Sequence, residues 1–245
     1  MGSRPIAESF NQYFSMQMAD TPPLRDEVYR IRYAVYGEEF GYEPLENFPD
    51  GRESDEFDGV SRHCLVRHHG SHVAGGCVRL VPGAADALMP FEKHCGHSLN
   101  KELLARMNLP RQSVCEISRL AVHAQFRRRA GEAESRFGAI QPVDFTAAER
   151  RVLPFISVSL FLAATVLTEL EQRRNVFAMM EPFLPRLLKR AGLEFIQVGK
   201  TIDYHGERAA YFITTDSALS GMKPELRALY EIVKSTMVQP LRVVG

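Results

Sequence analysis

A chain of 245 residues with 30 basic and 30 acidic side chains has no formal net charge, which leaves no general pull toward nucleic acid or an anionic membrane. Its 45% hydrophobic and 24% charged content is that of a globular protein with ample material for a core, in one large domain or two small ones. Cys64, Cys77, Cys95 and Cys115 make no CxxC pair and no secreted disulfide framework, so they are expected as reduced, buried thiols in the cytoplasm.

The start, "MGSRPIAESFNQYF", has no apolar signal core, and residues 1–23 read as a polar N-terminal arm ending in "DTPP". In "LRDEVYRIRYAVYGEEFG", Leu24, Val28, Ile31 and Val35 fall at helical spacing, with Gly41 as a stop. "YEPLENFPDGRESDEFDGVS" is a loop rich in acids. "RHCLVRHH" and "HVAGGCVRLVP" flank "GS" and are expected as an antiparallel pair. "DALMPFEKHCG" and "NKELLARMNL" read as short helices or loop. "HCGH" at 94–97 lacks a second ligand pair, so no metal site is expected.

The next strand, "VCEISRLAV" at 114–122, is apolar except for Glu116, Ser118 and Arg119. Charges are seldom buried unless paired or used. An interior ion pair, a solvated edge strand and a charged cleft all remain open on this segment alone. Downstream, "VLPFISVSLFLAATVL" at 152–167 carries no charge. It is shorter than the ~20 residues of a membrane span and contains Pro, Ser and Thr, so a helix buried in the core is expected. "NVFAMM" reads as a strand, "PFLPRLLKRAG" as a helix closed by Gly192, and "FIQVGKTIDYHGERAAYFITT" as two strands around "HGE". "KPELRALYEIVKSTM" reads as a last helix with Pro224 in its first turn. Strands and helices mix with local hairpins, which predicts an α+β fold with one central mixed sheet.

Further charges gather upstream of that strand at Arg32, Asp55, Asp58 and Arg79. With Glu116 and Arg119 they make three acids and three bases in or beside core strands, an expensive burial unless they pair around a cleft. Because Glu116 and Arg119 are three residues apart, both face one cleft only if the strand is bulged or bent.

"IRYAVYGEEFGY", "GRESDEFD", "VRL" and "EISRLAV", in that order, resemble the acyl-homoserine-lactone synthase pattern. "NVFAMMEPFLPRLLKRAGLEF" extends the likeness to roughly residues 24–215. "EISRLAV" followed by "FRRR" is most similar to the PEP-CTERM/exosortase-associated acyltransferases and the N-acyl amino acid synthases of the GNAT superfamily. The resemblance implies a GNAT-like domain over 24–217, with an N-terminal cap and a C-terminal helical extension over 218–245 packed on it. It implies that Arg32, Tyr36 and Tyr42 stand around an acceptor amine, and that Asp55, Asp58 and Arg79 shape the cleft. Glu116 and Arg119 would stand on the cleft floor, paired with one another, and an acyl slot would be walled by Phe161, Ala178, Met180 and Leu184.

The lactone synthases carry Trp where this chain has Tyr42, and the chain has no Trp at all. With the long segment 123–151, this points away from S-adenosylmethionine and toward an amino acid or related small amine. "RRAGEA" at 128–133 fits the R-x-x-G-x-A loop that cradles coenzyme A. Pro142 and a polar stretch separate it from the helix near Pro154, so that loop is not expected to work. The expected donor is therefore an acyl group on the 4'-phosphopantetheine of acyl carrier protein, with acyl-CoA less favoured and no tightly bound cofactor. Arg127 to Arg129 and the basic end of 186–190 would meet an acidic carrier. Nucleic acid is not an expected partner, and membrane association would be peripheral at most. The expected chemistry is acyl transfer with Glu116 as base and the backbone near Leu120 to Val122 holding the oxyanion. An acetyl-CoA-dependent GNAT enzyme and a non-catalytic lipid-binding or scaffold module are the alternatives.

Overall fold

The computed structural model describes residues 5–127 and 145–238. In chain order it has α1 (Ile6–Tyr13), β1 (Phe14–Met18), α2 (Pro22–Arg32), β2 (Arg62–His68), β3 (Ala74–Pro82), α3 (Pro90–Cys95), α4 (Lys101–Met107) and β4 (Val114–Val122). There follow α5 (Ala124–Arg127), α6 (Ala147–Arg150), α7 (Phe155–Leu170), β5 (Asn175–Met180), α8 (Leu184–Arg190), β6 (Ile196–Gln197), β7 (Ile202–Asp203), β8 (Glu207–Thr214), α9 (Thr215–Gly221) and α10 (Pro224–Val238). The strands form one sheet in the order β1-β2-β3-β4-β5-β8-β6, with β7 also on β8. All neighbours are antiparallel except β4 and β5. This is the expected mixed sheet flanked by helices.

The N-terminal arm is a correction. Residues 6–18 form a helix and the edge strand of the sheet, with Phe14 opposite His68 and Met18 opposite Cys64. Phe10, Phe14 and Met16 are buried, and burying such side chains contributes about 1.5–3 kcal/mol each, enough to hold a short segment down. The period-2 pattern of "FSMQM" is the physical reason it forms a strand.

On one face of the sheet α7 and α10 cover the main core. Ile156, Leu160, Ala163 and Leu167 of α7 meet Val78, Leu80 and Cys115 of the sheet. Most of the uncharged run thus lies in the buried 16-residue helix α7, and no helix among the described residues is long and apolar enough to cross a membrane. On the other face α2 packs Val28 and Ile31 over Leu65, Cys77 and Ala121, while Phe91 and Val114 meet Phe177 and Phe212 in a separate cluster. Between those two covers the sheet opens.

The opening has a backbone cause. β4 and β5 pair from Val114–Asn175 only as far as Glu116–Phe177, after which β5 continues along β8 alone. Residues 117–122 of β4 therefore have no β5 partner. On its other side β4 carries an extra residue: Arg79 pairs with Ser118 but Cys77 with Ala121, and Arg119 sits in the left-handed region at φ 50°. This is the bulge that the spacing of Glu116 and Arg119 demanded. It turns Arg119 out of register, onto the side of Glu116 and Ser118 rather than that of Ile117. The bulge also presses the Ala121 carbonyl toward β3 at Gly76, where a Cβ would come within 2.6 Å of that oxygen. A glycine is required there for close approach.

Candidate active site

Arg32, at the end of α2, is fully buried. Its guanidinium holds Glu53 through Nε and Asp58 through Nη1, the latter at 2.6 Å. Arg79 reaches Asp55 at 2.6 Å, Asp58 at 2.9 Å and the Ser118 hydroxyl at 3.1 Å. Arg119 extends the network to Glu53 at 3.2 Å, Asp55 at 3.4 Å and Glu43 at 3.4 Å. Three arginines thus face Glu53, Asp55 and Asp58, with Glu43 at the rim. Burial opposes ionisation of Asp58, yet Arg32 and Arg79 hold its pKa well below the usual range. Glu53 is lowered in the same way by Arg32 and then Arg119. His63 lies under the cluster, 3.5 Å from Asp58, and burial keeps it neutral with its pKa down to about 4.

Glu116 stands apart from this network. It is buried, and its Oε2 accepts a hydrogen bond from the Phe91 N–H at 2.8 Å. Its pKa is pushed up to about 7, chiefly by burial; the Phe91 N–H, Arg79 and Arg119 pull it down, and Glu92 adds to the rise. One expectation is corrected here. The Glu116 carboxylate forms no ion pair with Arg119, whose carboxylate partners are Glu43, Glu53 and Asp55. The acid that adds to the rise of Glu116 is Glu92.

Beyond Arg32, α2 passes into a π-helical turn over Tyr33–Glu39, with the Phe40 N–H donating to the Val35 carbonyl. Such turns widen a helix and re-aim its side chains. Here the turn directs Tyr36 into the opening, where its hydroxyl donates to the Leu120 carbonyl at 2.9 Å. Burial raises the Tyr36 pKa, so the phenol remains a donor. Phe40 and Tyr42 stack at 5.2 Å, and His205 lies 5.1 Å from Tyr42.

Three connected spaces follow. A polar chamber of about 90 Å³ is bordered by Tyr36, Tyr42, Glu43, Glu116, Arg119 and Arg208, with Tyr204 and His205 closing it. A groove of about 340 Å³ runs along the unpaired side of β4 and shares Tyr36, Ser118, Arg119 and Arg208 with the chamber. Phe161, Ala178, Met180 and Leu184, proposed from sequence as slot walls, all border that groove. The first three also line an apolar slot that continues past Ala164, Leu193 and Phe195 to Ala218. Tyr36 and Tyr42 border the chamber, whereas Arg32, expected beside the acceptor, lies beneath it as a strut. Sequence reasoning missed Glu53, Glu43, Tyr204, His205 and Arg208. Glu53 had one signal, two residues before Asp55 in "GRESDEFD"; the others had none. "RRAGEA", with Arg128 and Arg129, lies outside the described residues.

Residues 31–134 match the family model of the acetyltransferase (GNAT) domain. Among solved structures, the AHL synthase LasI superposes with a TM-score of 0.56 at 16% identity, covering 94% of this chain and 98% of that one. The N-acyl amino acid synthase FeeM, from uncultured soil microbes, gives 0.55 at 17%, covering 85% and 94%. The CoA-dependent acyl-homoserine lactone synthase BjaI, with SAM and isopentyl-CoA, gives 0.58 at 18%, covering 93% and 90%. No curated protein sequence matches the chain. The match over residues 31–134 and the shared fold make the chain similar to GNAT-type acyltransferases. In fold it resembles the AHL synthases and the N-acyl amino acid synthase.

Proposed function

We propose that the protein is an N-acyltransferase that moves a fatty acyl group from a carrier-protein thioester to the amine of an amino acid or a related small molecule. The observation that carries this reading is Glu116, a buried carboxylate with its pKa pushed up to about 7, which lines the polar chamber next to Ile117, a residue shared by the chamber and the apolar slot. A carboxylate of ordinary pKa would be too weak a base; one near 7 can take a proton from an ammonium and return it. In this mechanism Glu116 accepts the acceptor's proton, directly or through a water. The freed nitrogen attacks the thioester carbonyl, the C–S bond breaks, and the departing sulfur takes up a proton. The backbone of β4 between Ile117 and Val122 lies along the groove to hold the oxyanion. Asp55, Asp58 and Arg79 with Arg32 fix Ser118 and the floor, while Arg119 and Tyr36 set the chamber wall.

The carrier protein is favoured by Phe183 and the α8 that follows it, where Arg186, Leu187, Lys189 and Arg190 are exposed; Phe183 and Leu184 border the groove. An apolar and basic ridge suits an acidic helical carrier in the cytoplasm. The coenzyme A reading is kept open because BjaI and MesI, both CoA-dependent synthases, share the fold. The test is competition between acyl carrier protein and CoA thioesters of one chain length, with products read by mass spectrometry. Carrier thioesters should win at low ionic strength, and the advantage should shrink as salt screens the ridge. A CoA thioester that wins at every salt concentration overturns the carrier reading. Absence of any N-acyl product overturns the transferase reading.

A further inference from the structure

The charges bordering the acceptor chamber do not balance locally. Arg32, Arg79 and Arg119 are engaged by Glu53, Asp55 and Asp58 at hydrogen-bonding or ion-pair distances. Three charged groups are left over. Glu116 has no guanidinium of its own, and Glu43 has only the shared Arg119 at 3.4 Å. Arg208 is the third. Its alternation with Ala210 and Phe212 on β8 puts it on the cleft face, where it borders both chamber and groove. Its nearest acid is Glu181 at 3.9 Å, beyond hydrogen-bond reach, and its Nε makes one long bond of 3.4 Å to the His205 carbonyl. The Tyr42 ring, with its centroid 5.9 Å away, supports it from one side.

A half-buried guanidinium held by a ring, with no acid closer than Glu181 at 3.9 Å from its Nη2, is a fork for a carboxylate. We infer that Arg208 binds the carboxylate of an α-amino acid acceptor, whose ammonium group lies toward Glu116 and Glu43. This deepens the N-acyltransferase reading, on which it rests, by naming the acceptor as a zwitterion and assigning the group that selects it. Plain amines would leave Arg208 with only the long contacts to Glu181 and the His205 carbonyl, and a guanidinium partly removed from water disfavours them for that reason. Arg208 also borders the groove, so the same fork is chemically suited to a phosphate of the donor. The experiment separates the two.

L-α-amino acids are offered with a saturating acyl thioester, and the best of them is compared with its carboxamide and its decarboxylated amine. The wild type should prefer the acid by at least about tenfold in kcat/KM, the size of a charge-assisted pair. Arg208→Gln should erase that preference by raising KM for the acid roughly 10- to 100-fold, and Arg208→Lys should restore part of it. Equal use of acid and carboxamide by the wild type overturns the inference. So does an Arg208→Gln variant whose KM rises for the thioester instead. Calorimetry with the amino acid alone keeps the site testable apart from catalysis. Binding by the wild type that Arg208→Gln abolishes supports the carboxylate fork even where no acyl transfer occurs, and wild-type protein that binds no amino acid overturns it.

Discussion

Two sets of buried carboxylates lie within one cleft and are treated in opposite ways. Glu53 and Asp58 are threaded between arginines and held ionised, whereas Glu116 meets one backbone N–H and is pushed up to about 7. Burial is common to both; partners differ. The arginine-laced acids tie the acidic loop to α2 and β3, and their charge is spent on one another. Glu116 keeps its charge uncommitted, and that is what lets it exchange a proton at neutral pH. The fold thus places a structural electrostatic lock and a carboxylate with a pKa raised to about 7 side by side.

The sharpest way to break the comparison is to remove one arginine from the lock. Arg79→Ala leaves Asp58 and Asp55 short of a buried partner and should cost about 3–5 kcal/mol in unfolding free energy, with activity lost as well. A denaturant midpoint unchanged from wild type would show the lock contributes nothing. Glu116→Gln should spare the fold and the binding of the thioester while lowering turnover by about 10²- to 10⁴-fold. Full activity of that variant removes Glu116 from the chemistry.

The pH dependence of stability sharpens the contrast further, because the two sets act with opposite sign. Asp58 and Glu53 have depressed pKa values, so their contribution is present at neutral pH and is lost on acidification below about pH 4. Glu116 is raised, so the folded state holds its proton longer than the unfolded chain. Its effect is a decline in stability from about pH 4.5 to about 7, on the order of 3 kcal/mol in total. Glu116→Gln should flatten that decline in urea titrations across the range and leave the acid-side loss untouched. Wild-type kcat/KM should rise with pH to a plateau above about 7, as the base ionises.

Smaller effects test the frame that separates the two sets. Gly76→Ala sets a methyl group against the Ala121 carbonyl at the bulge and should cost about 1–3 kcal/mol, measured by thermal unfolding. A neutral outcome would show that β3 yields easily and that the bulge is not braced there. At the far end of the slot, Ala218→Leu should shift the preferred thioester toward shorter chains with little change in Tm. An unaltered chain-length profile would place the acyl chain elsewhere.

Much of this site could be read before folding because the chemistry violates local rules. A glutamate and an arginine inside "VCEISRLAV" conflict with a core strand, and their spacing of three conflicts with a single face, so both a cleft and a bulge followed. The alternation in "FSMQM" was equally plain but sat in a segment judged by its polar start, and an edge strand was read as an arm. Glu53 escaped because an acid in an acid-rich loop looks solvated; only folding brings it onto Arg32, 21 residues away. Arg208, Tyr204 and His205 belong to a hairpin whose two strands are ordinary in sequence, and nothing in them announces a wall. Side chains that contradict their element are visible in a sequence, while those that merely arrive at the site are not.

The pairing of β1 with its cover has a consequence for how the molecule is made. The Met16 N–H donates to the Thr236 hydroxyl of α10, across 220 residues, and α1 and α10 share the same core. Such contacts form late, since the loop they close is 220 residues long. On the ribosome, "FSMQM" emerges well ahead of α10, and Phe14 and Met16 lack that cover until α10 follows. An edge strand left open that long invites pairing between neighbouring chains, so yield should depend on chaperone supply more than on final stability. Pulse-labelled hydrogen exchange during refolding would reveal the order: β1 amides protected last, together with those of α10, or the idea fails.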